Sequence, residues 1–290
     1  MRSLVVGSAG QLGTDLLSIM ADRGLDAVGV DLPHIDITQR DSVAAVLADL
    51  RPDVVINAAA FTAVDAAEDD EETAHAINAL GAGLIAEAVA QLPDTRLLHV
   101  STDYVFDGNA DDPYAEDTQP SPQSAYGRTK LAGEELVQRT LLDRHYIIRT
   151  AWLYGEHGQN FVKTMIRLAG ERDTVSVVTD QVGQPTWSHD LAEHLIALAA
   201  APAPAGIYHG TNSGQCSWYE FTREIFSLIG ADPDRVLPTD SSAFSRPAPR
   251  PSFSVLGHDG WQRAGLAPMR SWREAAAEAV PRIAKQSTPD

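Results

Sequence analysis

The sequence predicts a doubly wound, Rossmann-type parallel α/β sheet with a smaller, interleaved C-terminal lobe, and three observations lead there. Short apolar runs alternate with longer segments of helical period, the pattern of parallel strands joined by helical crossovers. A glycine-rich turn sits where the first run meets the first helical segment. After about residue 150 the alternation loosens, and Gly, Pro and Trp punctuate shorter elements.

The elements follow in order. LVV at 4–6 precedes a helical segment over Gln11–Ala21, AVGV at 27–30 precedes Ser42–Leu50, and VVI at 54–56 precedes Glu68–Gln91. LLHVS at 97–101 precedes a helix over Tyr126–Leu142, and YII at 146–148 and VSVV at 175–178 bring the strands to six. Residues 1–150, with part of 170–205, are expected to form a dinucleotide-binding domain. Residues 151–290 are expected to form mainly a substrate lobe, with ligands in the cleft at the carboxyl ends of the strands. APAPAG at 201–206 reads as a helix stop and turn.

Composition bounds the function. The 290 residues are 44% hydrophobic and 21% charged, an ordinary globular balance. Twenty-two Lys plus Arg against 40 Asp plus Glu give a net charge of -18, which repels duplex nucleic acid and anionic membranes alike. The single cysteine, Cys216, is expected to be a buried apolar side chain in a reducing compartment. MRSLVVGSAG is too short in apolar residues for a secretion signal, and no run approaches the ~18 apolar residues of a membrane span, so a cytoplasmic protein is expected. His189 and His194 lie five apart, without metal-ligand spacing.

Gly7-Ser8-Ala9-Gly10-Gln11-Leu12-Gly13 joins the first strand to the first helix. Small residues there let backbone approach a pyrophosphate, and the helix start offers free amides and partial positive charge. Asp31 follows 18 residues after Gly13, near the interval at which an acid reads the adenosine ribose, although a turn role before Leu32-Pro33 is the alternative. Asp36 and Ile37 are placed under the adenine, and Ala58, Ala59 and Ala60 where the dinucleotide crosses the third strand. NADH is expected as cofactor, with NADPH permitted.

Tyr126 and Lys130, four apart at a helix start, share one face. A nearby ammonium, with the positive ring of an oxidised nicotinamide, is expected to lower the phenol from its usual value near 10, so that it exchanges a proton with a carbonyl oxygen. Thr102 ends the fourth strand, where its hydroxyl would bond the reacting oxygen.

This order of glycine loop, acid, strand-end threonine and Tyr/Lys pair resembles the extended short-chain dehydrogenase/reductase family over nearly the whole length. The resemblance implies Thr102, Tyr126 and Lys130 as catalytic triad and a nicotinamide cofactor on the glycine loop. The stretches STDYVFDG, RTAWLYG, DQVGQPT, HGTNSGQCSWYEF and RPAPRPSFSVL resemble the branch that reduces the 4-keto group of dTDP-4-dehydro-L-rhamnose to dTDP-L-rhamnose. A dehydratase would carry an Asp-Glu pair after the threonine, whereas here Tyr104 follows Asp103 and the elimination pair is incomplete. Asp103 is then expected to bond a sugar hydroxyl. An epimerase uses the same triad, and a non-catalytic cofactor-binding subunit shares the fold ancestry; both stay open.

Trp152 is expected to offer a flat face to the 6-deoxysugar, a core position being the alternative. Lys163, Arg246 and Arg250 are candidates for the diphosphate, or else surface cations. Gln181 and Gln184 either read the base or hold a turn. Some relatives bind magnesium through glutamates at a dimer interface. Asp15 stands at the early position here without an identifiable full carboxylate set, which leaves Mg2+ and a homodimer as possibilities.

Overall fold

The computed structural model describes residues 1–287. β1 (Ser3–Val6), β2 (Ala27–Val30), β3 (Val54–Asn57), β4 (Arg96–Thr102) and β5 (His145–Thr150) alternate with α1 (Gln11–Asp22), α2 (Arg40–Leu50), α3 (Val64–Asp69), α4 (Glu71–His75), α5 (Ala82–Ala90) and α6 (Ala125–Thr140). Then come β6 (Leu153–Tyr154), α7 (Phe161–Glu171), β7 (Val175–Val178), β8 (Val182–Gly183), β9 (Thr186–Trp187), α8 (Ser188–Ala200) and β10 (Gly206–His209). β11 (Cys216–Ser217), α9 (Trp218–Leu228), β12 (Val236–Thr239), α10 (Asp259–Arg263) and α11 (Trp272–Ser287) complete the chain.

The main sheet is six-stranded and wholly parallel, in the order β10-β5-β4-β3-β1-β2. Strands β1, β3 and β5 are buried along their length, which is why they read as unbroken apolar runs. The winding reverses between β1 and β3, so the crevice for a ligand opens at their carboxyl ends. Register places Val6 beside Asn57, and β4 runs three residues past His99 to put Thr102 level with Thr150.

One expected strand is misplaced. Val175–Val178 does not join the main sheet; it pairs with β12 in the second lobe, and Gly206–His209 is the sixth strand. The burial of β7 explains the difference, since Val175 is buried and Ser176 exposed, the alternation of a two-stranded ribbon with one wet face. The APAPAG turn runs directly into β10.

The helix expected over Glu68–Gln91 is also interrupted. Asp70 caps α4 by accepting from Thr73 N, and Ala76–Gly81 winds as a π-helical segment before α5. Inside it the Asn78 amide bonds both backbone groups of Phe61 and the Thr129 hydroxyl of α6. Glu71–Ala90 is the one helical stretch among the described residues long and apolar enough to cross a membrane, and half of it is buried here against α2 and α6.

Three apolar clusters make up most of the interior. Two sandwich the main sheet and draw on 4–20, 30–56, 82–98, 137–148 and 191–208. The third, with Tyr154, Trp187, Phe221, Phe226 and Trp272, belongs to the second lobe. Cys216 is buried in that third cluster, where its thiol is pushed far up by burial.

Candidate active site

The glycine loop closes because nothing larger fits. Gly7 turns with φ +82°, and a Cβ there would lie 2.6 Å from Ala59 N; one on Gly13 would lie 2.2 Å from Gly7 O. The loop is thereby seated on the end of β3, where Ala58 N donates to Val6 O and Ala59 N to Asn57 Oδ1. Gly10 starts the twelve-residue α1 in extended geometry, with no side-chain cap and no acidic residue in the first turn. Backbone amides and helix dipole are thus left for an anion, and the cradle fits a pyrophosphate. Leu12 is core, 4% exposed, so only its amide can serve a ligand.

Asp31 stands at the loop's edge, Oδ2 accepting from Ala9 N at 3.1 Å and Oδ1 from Leu32 N at 2.9 Å. Asp36 uses its Oδ1 within its own turn, accepting from Thr38 N and Thr38 Oγ1, while Ile37 packs into the core against Gly81. Ala60 remains half-buried beside Ala58 and Ala59. The Gln11 side chain crosses to the other lobe, its Oε1 accepting from Asn160 Nδ2 at 3.0 Å.

Thr102 and Tyr126 meet because Gly127 lets α6 approach the chain after β4. A Cβ on Gly127 would fall 2.2 Å from Tyr104 O, and Ser124 caps the helix by accepting from Gly127 N. Tyr126 and Lys130 face the strand ends as the spacing requires, and Lys130 Nζ donates to Val100 O at 2.6 Å. The electrostatics depart from expectation. Burial pushes the Tyr126 phenol up to about 12, Asp103 adding to the rise and the Thr102 hydroxyl opposing it. Burial pulls Lys130 down to about 8, Glu134 opposing. Desolvation therefore governs both groups, and the expected lowering of the phenol by the ammonium does not appear in the free protein. His99, wholly buried and bonded to Asn57, is held far below its ordinary value by burial and by Lys130.

Asp103 also departs. It is 3% exposed, its Oδ1 accepts from Thr102 Oγ1 at 3.0 Å, and its Oδ2 is sealed off without a hydrogen-bond partner. The carboxyl does not line the cleft.

Beyond Tyr104, which packs edge-to-face on Tyr126 at 5.6 Å, opens a cleft of about 690 Å³. Trp152, Phe161, Trp218, Arg246 and Arg250 line it. Trp152 takes φ +47° and stacks on Trp218 with ring centroids 3.6 Å apart. Arg250 is steered by Asp65 at 2.8 Å, with Arg246 3.7 Å from the same carboxylate. Gln181 lines the cleft and donates to Ser241 Oγ.

Two candidates fall away. Lys163 spends its ammonium on Glu156 O and Gly158 O, clamping the loop before α7 instead of reaching the cleft. Gln184 is 2% exposed, its Nε2 donating to Leu256 O and its Oε1 accepting from Thr211 Oγ1 and Leu256 N, which makes it a pin between segments. Conversely, Phe161 and Trp218 were not singled out. Trp218 lies in the HGTNSGQCSWYEF stretch that carries the resemblance, and a capping box of Ser217 with Glu220 sets it at the first position of α9.

Among the described residues no group of three His, Cys, Asp or Glu side chains could hold a metal. Asp15 accepts a hydrogen bond from Ser188 Oγ and lies 3.7 Å from His157 Nε2. These side chains do not fit a magnesium site.

The family description "RmlD substrate binding domain" matches residues 1–285. A probable dTDP-4,6-dihydroxy-2-methyloxan-3-one 4-ketoreductase of Streptomyces antibioticus is 49% identical, covering 98% of this chain and 96% of that protein. A dTDP-4-dehydrorhamnose reductase of Streptomyces griseus is also 49% identical, over 97% and 94%. The crystal structure of the Bacillus anthracis dTDP-4-dehydrorhamnose reductase in complex with NADP superposes with a TM-score of 0.91 at 39% identity, covering 97% of this chain and 98% of that one. Seated on a fold whose strand ends gather Thr102, Tyr126 and Lys130 beside an aromatic cleft, the chain belongs to the RmlD family, the dTDP-4-dehydrorhamnose reductase branch of the extended short-chain dehydrogenases/reductases.

Proposed function

We propose that this chain reduces the 4-keto group of dTDP-4-dehydro-L-rhamnose to give dTDP-L-rhamnose, with NADH or NADPH as reductant. The observation that carries the reading is the convergence of the Thr102 hydroxyl and the Tyr126 phenol at the end of β4, with Lys130 behind them. A nicotinamide cofactor, when bound, supplies the hydride. The loop from Gly7 to Gly13 and the start of α1 would hold its diphosphate, and Asp31 its adenosine ribose.

Tyr126, at about 12, carries its proton throughout the neutral range and is ready to donate it to the carbonyl oxygen. Lys130 gives one N–H to Val100 O and keeps two more for the nicotinamide ribose. Arg246 and Arg250 bring positive charge to the diphosphate of the sugar nucleotide, and Trp152 and Trp218 present an apolar wall to its flat or deoxygenated parts.

A stacked indole wall reads shape instead of individual hydroxyls, and the Streptomyces antibioticus relative is named for a different dTDP-linked ketosugar. A related dTDP-4-keto-6-deoxysugar is therefore the second reading. The test follows loss of reduced-nicotinamide absorbance with each ketosugar, generated from dTDP-glucose by the upstream dehydratase and epimerase. Turnover supports the assignment; cofactor binding without turnover on any ketosugar makes the chain a non-catalytic binder. Cytoplasmic residence and a homodimer belong to the same proposal, and light scattering in solution measures the second.

A further inference from the structure

The ketoreductase reading leaves Asp103 without a task, because its carboxyl is enclosed behind Thr102 and does not line the cleft. Thr102 Oγ1 accepts from Tyr104 N at 3.2 Å and donates to Asp103 Oδ1 at 3.0 Å. A threonine hydroxyl has one proton. While an ionised Asp103 takes it, Thr102 has none to offer the oxygen that Tyr126 also serves. A protonated Asp103 reverses the bond: its own O–H donates to Thr102 Oγ1, and the threonine proton is released toward Tyr126. Ser254, 2% exposed and on the segment bonded to β8 through Val182 O, favours the ionised form of the carboxyl.

We propose that Asp103, tuned by Ser254, is a positioning residue that sets the direction of the Thr102 hydroxyl proton, its protonated form being the one productive for carbonyl reduction. The proposal rests on the ketoreductase reading. Burial pushes the Asp103 carboxyl up to about 6, while the Ser254 and Thr102 hydroxyls and the nearby backbone amides oppose the rise. The groups facing it are the Tyr104 phenol on its own segment, the Tyr126 phenol on α6 and the Ser254 hydroxyl. Lys130 donates to Val100 O and Arg250 to Asp65.

The experiment compares kcat/KM for the ketosugar between about pH 5 and about pH 8 in wild type, Asp103→Asn, Ser254→Ala and Ser254→Thr. Wild-type kcat/KM should fall by about tenfold per pH unit above a break near 6 until the ionised form's rate is reached. Ser254→Ala should move the break to higher pH and Ser254→Thr should restore it. Asp103→Asn, a permanently neutral donor, should remove it. An unmoved break in Ser254→Ala overturns the proposal. So does loss of turnover at every pH in Asp103→Asn with both ligands still bound, which would make the carboxylate itself the working form. Infrared difference spectra supply a readout without turnover: the carbonyl band of a protonated carboxylic acid should titrate with the same break, shift in Ser254→Ala and vanish in Asp103→Asn. Absence of that band in the wild type overturns the proposal. A titrating band without any ketosugar reduction instead overturns the ketoreductase reading and leaves the Asp103–Thr102 contact standing.

Discussion

Burial acts on Tyr126 and Lys130 in opposite directions, and in both it favours the neutral species. For the phenol this is productive, since a protonated Tyr126 is the proton donor the reduction needs. Tyr126→Phe should lower kcat by ~100-fold or more while NADH still binds, as measured by turnover and by cofactor fluorescence. For the ammonium, burial is destabilising. Its folded value of about 8 lies below the unfolded ~10.4, so between those values the unfolded chain binds more protons and stability rises with pH. Below about 8 the full penalty is present. Lys130→Met should therefore stabilise the fold at neutral pH by on the order of 1–3 kcal/mol, flatten the rise above about 8 and abolish activity. Chemical denaturation across pH checks this; a variant less stable than wild type would assign the lysine a structural task. Asp31 acts on the cofactor instead. Asp31→Ala removes the acceptor of Ala9 N and the charge facing an adenosine 2′-phosphate, and should shift the kcat/KM ratio toward NADPH by about 1–3 kcal/mol. Arg40 is paired with Glu87 on the surface, away from that role.

At the scale of elements, the strand ends hold their positions because charged groups beneath them are fully paired. Arg149 of β5 forms a bidentate bond with Glu134 of α6, both 1% exposed, and its guanidinium lies 4.9 Å from the Phe106 ring centre. The pair locks the helix that carries Tyr126 and Lys130 to the sheet that carries Thr102. Glu134→Ala leaves a buried guanidinium unpaired and should destabilise by about 3–5 kcal/mol. Urea unfolding measures it, and a loss under ~1 kcal/mol would show that water reaches the site. Asn78 couples the same helix to the π-helical turn, a second polar bond that apolar periodicity does not report.

Across the whole molecule, the cleft exists because segments far apart in sequence, from Tyr104 to Pro251, line it together. Trp152 follows β5 and Trp218 opens α9; both pack against the same apolar cluster, and only the tertiary fold stacks them. The Gln11–Asn160 bond ties the glycine helix to the helix that carries Phe161. Trp218→Ala should raise the Kd for the sugar nucleotide by about tenfold, within the range expected of a lost aromatic stack, and leave NADH affinity alone. Calorimetry with each ligand separates the outcomes, since lost NADH binding would mean that the lobe itself had unfolded.

Much of this was legible in the chain. Apolar runs marked five of the six main strands, because parallel strands covered on both faces must be continuously apolar. Glycine spacing marked the cradle, because Gly7 and Gly13 stand where a Cβ would strike backbone. The Tyr126/Lys130 pair marked the reacting face, because four residues make about one helical turn. Tertiary structure alone decided the rest. The sixth strand is Gly206–His209 and not Val175–Val178, since pairing between segments distant in sequence leaves no local period. Gln184 and Lys163 became pins and Asp103 was sealed away, since a side chain's hydrogen-bond partners depend on which backbone groups the fold brings beside it. Desolvation set the phenol above its ordinary value, an effect of enclosure by the whole molecule that no spacing of residues can express.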